Sequence, residues 1–110
     1  MKYIFTFLIL FIGFNCFSAR WYVHANASGA NTGLSWTDAY TDLQSAIGSS
    51  TFGDEIWVAA GTYKPTSTTS AIIYFNLVNG VAIYGGFNGS ETLLTERDFV
   101  NNISILSGNI

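Results

Sequence analysis

The sequence predicts an all-β solenoid, a coil of stacked parallel strands lidded by one amphipathic helix. Two observations lead there. A short apolar pattern ending in glycine recurs three times in the 110 residues, and a helical stripe precedes the first copy. The copies are Ile56-Trp57-Val58-Ala59-Ala60-Gly61, Val81-Ala82-Ile83-Tyr84-Gly85-Gly86 and Ile103-Ser104-Ile105-Leu106-Ser107-Gly108. Aligned on their last glycines they lie 25 and 22 residues apart, within the range of solenoid repeats. Strand side chains alternate between faces, so Val58, Ile83 and Ile105 are expected to stack in one inward row.

The chain opens with a different composition. Lys2 is followed by an apolar run from Tyr3 to Phe14, then by small residues at Ser18 and Ala19. The run is shorter than the ~20 residues a membrane helix needs, and the pattern is that of a secretory signal over residues 1–19. Cleavage after Ser18 places Cys16 three residues back from the new terminus; cleavage after Ala19 places the bulky Phe17 there. Both sites stay open at this stage. Asn15 before Cys16, the sole cysteine, does not fit a lipoprotein signal, and loss of the leader leaves a chain without disulfides.

Residues 20–110 then carry Arg20, Lys64 and Arg97 against seven acidic side chains, a net charge of −4. Nucleic-acid affinity comes from clustered Lys and Arg, so nucleic acid is not an expected partner.

Trp21 to His24 reads as a short strand, followed by a Gly-, Asn- and Ser-rich loop from Ala25 to Leu34. Ser35 is placed as a helix N-cap with Asp38 three residues on, and Trp36, Ala39, Tyr40, Leu43, Ala46 and Ile47 form one apolar stripe before Gly48. Corners are expected at Phe52-Gly53-Asp54, Asn79-Gly80, Asn88-Gly89-Ser90 and Asn101-Asn102, with a further strand over Ile72 to Val78. Asn79-Gly80 is also a hairpin signal. Antiparallel pairing of Phe75–Val78 with Val81–Tyr84 would give a small carbohydrate-binding β-sandwich instead.

The stretches "WYVHANASGANTGLSWTDAYTDLQSAI", "GDEIWVAAGTYKP", "LVNGVAIYGGFNGSETLLTERDF" and "ISILSGNI" together resemble the N-terminal region of secreted bacterial right-handed parallel β-helix proteins, which are pectin-lyase-like. The resemblance covers residues 21–110 and favours the coil over the sandwich. It implies a secreted or outer-surface protein with a structural, adhesive or glycan-binding role. The alternative it implies is the N-terminal part of a polysaccharide lyase or hydrolase whose catalytic rungs follow. No catalytic position carries over, and no cofactor is implied. A truncated solenoid ending at Ile110 is expected to self-associate through its open edge.

Candidate sites are sparse. His24, the single histidine, has no metal-ligating neighbours in sequence. Asp54 and Glu55 are adjacent and should point to opposite faces, as turn and solvent groups. Glu91, Glu96 and Asp98 with Asn88 offer oxygen ligands, but not at the spacing of a calcium loop. The glycines form no phosphate loop, and no Ser/His/Asp arrangement can be assembled. Trp57 and Tyr84 fall on the outward parity. They are the two candidates for stacking on a sugar ring, set against packing beneath a covering loop.

Overall fold

A computed structural model describes residues 18–65 and 74–108. Residues 1–17 of the leader expected over residues 1–19, and Ile72 and Ile73 of the expected strand, lie outside the described residues. Five short strands form two separate parallel sheets around one helix. Strands β1 (Arg20–Val23), β2 (Glu55–Ala59) and β4 (Ala82–Phe87) make a three-stranded sheet in the order β1-β2-β4. Strands β3 (Gly61–Tyr63) and β5 (Ser104–Leu106) pair with each other in a second sheet. The helix, α1, spans Leu43–Ser49, and a 3-10 turn covers Leu94–Glu96.

This arrangement overturns the right-handed parallel β-helix with a helical cap. The three glycine-ended segments do not stack as one column: the first two supply β2 and β4, whereas the third supplies β5, which lies beside β3. Ile105 therefore pairs with Thr62 and is 46% exposed, so the expected Val58–Ile83–Ile105 row is absent. Even between β2 and β4 the glycine alignment is two residues off, because Ile83 stands opposite Ile56 and Tyr84 opposite Trp57. An even slip leaves each residue on its face, which is why parity alone could not set the register. The sandwich is not formed either. Residues 74–78 carry no strand, and every ladder among the described residues is parallel.

The helical stripe is also divided. Ser35 does accept the Asp38 N–H at 3.1 Å, but no helix follows it. Tyr40 instead bridges Val23 in extended conformation, taking the His24 N–H on its carbonyl and donating its own N–H to Tyr22. A β1 edge with open N–H and C=O groups outcompetes a helix start, since each satisfied backbone pair is worth more than local propensity. The stripe consequently parts company at Tyr40. Leu43, Ala46 and Ile47 of α1 pack with Val23, Ile56, Val58 and Tyr63 on one face of the sheet. Trp36 crosses to the other face, its ring 5.6 Å from Phe87 and 4.9 Å from Tyr22.

Both faces of β2 are thus covered, and Ile56, Trp57, Val58 and Ala59 are each fully buried. Sheets that are purely parallel read as continuous apolar runs for this reason. Gly86, at φ +92°, shifts the register between β2 and β4 so that Ala59 meets Phe87. A Cβ at Gly86 would press on the backbone of Phe99, so the position requires glycine on both conformational and steric grounds.

Trp57→Ala is expected to cost about 3–5 kcal/mol, as for large-to-small changes in a closed core, while Ile105→Ala should cost about 1 kcal/mol or less. Urea unfolding of both variants checks this; equal losses would return Ile105 to the core.

Candidate functional site

The described surface is organised around carboxylates that hold backbone, not around an open constellation of reactive groups. Asp54 ends the turn before β2 and is buried. Its Oδ1 accepts the Ala19 N–H at 2.8 Å; its Oδ2 accepts the Thr51 N–H at 2.9 Å and the Trp21 indole N–H at 3.1 Å. The N–H groups of Ala19 and Thr51, foremost among these partners, hold the Asp54 carboxyl below the usual carboxylate range. Glu55 points the other way, pairing with the Arg20 guanidinium at 2.8 Å and accepting the Trp57 indole N–H at 3.0 Å. The two neighbours diverge, and their roles differ. Asp54 organises backbone, and Glu55 orients side chains. The expectation of Asp54 as a solvated turn group is corrected by its burial. The signal available in sequence was its position: an Asp three residues after Thr51 and directly before an apolar strand can reach back to the N–H groups of its own turn.

Glu91 repeats the device. It is buried, and its carboxylate accepts the N–H groups of Asn88, Gly89 and Ser90 at 2.8, 3.1 and 3.1 Å. Its carbonyl takes the Trp36 indole N–H at 2.8 Å, tying this loop to the aromatic face. Glu96 accepts the N–H groups of Thr92 and Leu93, which hold its carboxyl low. Asp98 accepts from the side chain and backbone of Asn101 and from the Val100 N–H, with the same result. The oxygen ligands that the sequence offered for calcium are thus each turned onto their own loop. Among the described residues no group of three or more His, Cys, Asp or Glu side chains converges on a common point.

The two sugar-stacking candidates separate. Trp57 is 0% exposed, stacked on Phe87 at 4.5 Å and 9° with the Arg20 guanidinium 3.8 Å above its ring. Its faces are occupied, so Trp57 is a packing residue and not a binding platform. Tyr84, its register partner, is half-buried with the Arg97 guanidinium 5.2 Å from its ring. The same guanidinium lies 5.9 Å from Phe99, which is 70% exposed. Phe99 was not singled out by the sequence, because it lies outside the repeated strands; with its backbone against Gly86 it shares the Arg97 guanidinium with Tyr84.

His24 sits edge-on to Trp36 at 6.4 Å and faces Gly89. It is part of the aromatic packing that joins β1 to the Glu91 loop. A shallow cleft lined by Ser18, Ala19, Arg20, Gly53 and Glu55 opens beside the start of β1. No helix among the described residues is long and apolar enough to cross a membrane. No family model, curated protein or solved structure matches the chain.

Because the folded state holds Asp54 ionised more strongly than the unfolded chain does, its stabilisation is complete above roughly pH 4 and is lost as pH falls through its lower folded value. Asp54→Asn should cost about 1.5–3 kcal/mol at neutral pH, the scale of a hydrogen bond to a charged group, and should flatten the loss of stability expected of the parent as pH falls below roughly 4. Parallel pH profiles for the two proteins would remove Asp54 from this role.

Proposed function

We propose that this chain is a structural or adhesive part of a secreted or outer-surface bacterial protein, with a glycan as its partner. The motif likeness to secreted bacterial surface proteins supports the location, and the apolar leader with small residues at Ser18 and Ala19 supports export. The observation that carries the structural role is where the polar chemistry goes. Asp54, Glu91, Glu96 and Asp98 each hold two or more hydrogen-bond donors, and His24 packs on an indole. Groups engaged in this way fix loops and leave no poised acid–base pair among them.

The surface offered to a glycan is the Tyr84–Arg97–Phe99 group. An exposed aromatic ring beside a guanidinium supplies a flat apolar platform for the C–H face of a sugar and a donor fork for its hydroxyls or carboxylate. The net charge of the exported chain is unfavourable for polyanions, but Arg97 places a local positive group at the platform itself.

Affinity electrophoresis of the exported protein through gels containing neutral or uronic-acid polysaccharides tests this. Retardation by at least one polymer is expected, with Phe99→Ala weakening it about fivefold, as an aromatic contact of ~1 kcal/mol implies. Absence of retardation across the panel overturns the glycan partner. Release of reducing ends or unsaturated products from the same polymers would overturn the structural role in favour of a catalytic one.

A further inference from the structure

We infer that the bond between Ser18 and Ala19 is the processing site, and that the α-ammonium group released on Ala19 docks against the buried carboxylate of Asp54. This rests on the export reading above and adds to it a specific bond and a receiving site. The sequence left two bonds open, and the geometry separates them. Ala19 contributes both of its backbone groups to the fold: its N–H donates to Asp54 at 2.8 Å, and its carbonyl accepts the Glu55 N–H at 3.0 Å. Cleavage after Ala19 would remove both, leaving Asp54 short of a donor and the first N–H of β2 without its acceptor. Cleavage after Ser18 keeps both and converts the nitrogen already touching Asp54 into a cation.

The surroundings suit that cation. Ser18 is exposed and stands in the open cleft beside Gly53 and Glu55. Of the charged groups around it, Arg20 and Glu55 neutralise each other at 2.8 Å. Among the described residues Asp54 has no basic partner, only N–H and hydroxyl donors from Ala19, Thr51 and Trp21. A buried carboxylate satisfied only by neutral donors gains a charge-assisted bond when one of those donors becomes an ammonium. The leader rule points to the same bond, with Ser18 and Cys16 as the small residues at the last and third-last positions of the leader. The chemistry is a hydrolysis catalysed by a membrane-bound signal peptidase. Water adds across the Ser18 C–N bond, Ser18 keeps the new carboxylate, and the Ala19 amine takes up a proton.

The test is expression of the full 110-residue chain in a Gram-negative host, followed by intact-mass measurement and N-terminal sequencing of the exported protein. The expected first residue is Ala19. A first residue of Arg20, or any other, overturns the inference while leaving export intact; a chain that retains Met1 overturns the export reading itself. Carbamylation by cyanate then probes the docking, with Lys64 as the one lysine left for internal comparison. The α-amine should react about tenfold more slowly in the folded protein than in urea, the equivalent of one pKa unit, and folded Asp54→Asn should lose that protection. Equal reactivity in folded and unfolded parent protein overturns the ion pair without needing the variant to fold.

Discussion

Strand β2 is the constraint around which everything else is arranged. It is hydrogen-bonded along both edges, to β1 and to β4, and covered on both faces, by α1 on one side and by the aromatic group on the other. Beyond its first residue, Glu55, a strand in that position has no solvent direction left for a side chain, and four consecutive residues of it are fully buried. Its sequence is accordingly apolar on both parities. Each neighbour inherits a duty from that arrangement. Arg20 covers the Trp57 ring, Trp36 leaves the helical stripe to finish the aromatic face, and Asp54 anchors the turn that delivers the chain into β2.

Two hydroxyls tie the two sheets together: that of Tyr63 in β3, which donates to the Ala59 carbonyl at 2.9 Å, and that of Ser104 in β5. The Ser104 hydroxyl, at the start of β5, donates to the carbonyls of Val58 and Ala59 at 2.9 and 3.1 Å and accepts the Gly86 N–H at 3.2 Å. It thereby shares its one proton between two carbonyls, and accepts an N–H, at the point where the register between β2 and β4 shifts. Gly85 has no side chain for this reason among others: a Cβ there would strike Ser104.

The face assignment of β2 and β4 was legible in the residues, the fold class was not, and the failures have identifiable causes. Period-two alternation placed Ile56, Val58 and Ile83 on one face, because face assignment survives any even slip. Register did not survive, since glycine alignment assumes that equivalent turns end equivalent strands, and Gly86 belongs to an irregularity inside β4. The third repeat misled for a related reason. Ile103 to Leu106 has the composition of its predecessors, but β3 had an open edge in a different plane, and pairing followed the edge. For the helix, the stripe from Trp36 to Ile47 described two surfaces interrupted by Tyr40, and nothing in a helical pattern records that β1 needs a partner there. The expectation of a solvated Asp54, and the weighing of Glu91 as an oxygen ligand for calcium, both miss their burial because composition does not reveal how many N–H donors a loop will aim inward. Phe99 was passed over because its site exists only in three dimensions.

The aromatic face has a further consequence for how the molecule can be observed. All three tryptophans, at positions 21, 36 and 57, belong to β1, β2 or the loop packed across them, and the ring of Trp57 is sealed between a phenyl group and a guanidinium. Intrinsic emission is therefore a local gauge of one half of the fold. It will register the opening of the larger sheet with high sensitivity, yet the β3–β5 pair could come apart in near silence. An optical melting curve will describe the first event, and only a probe placed near residues 104–106 will describe the second.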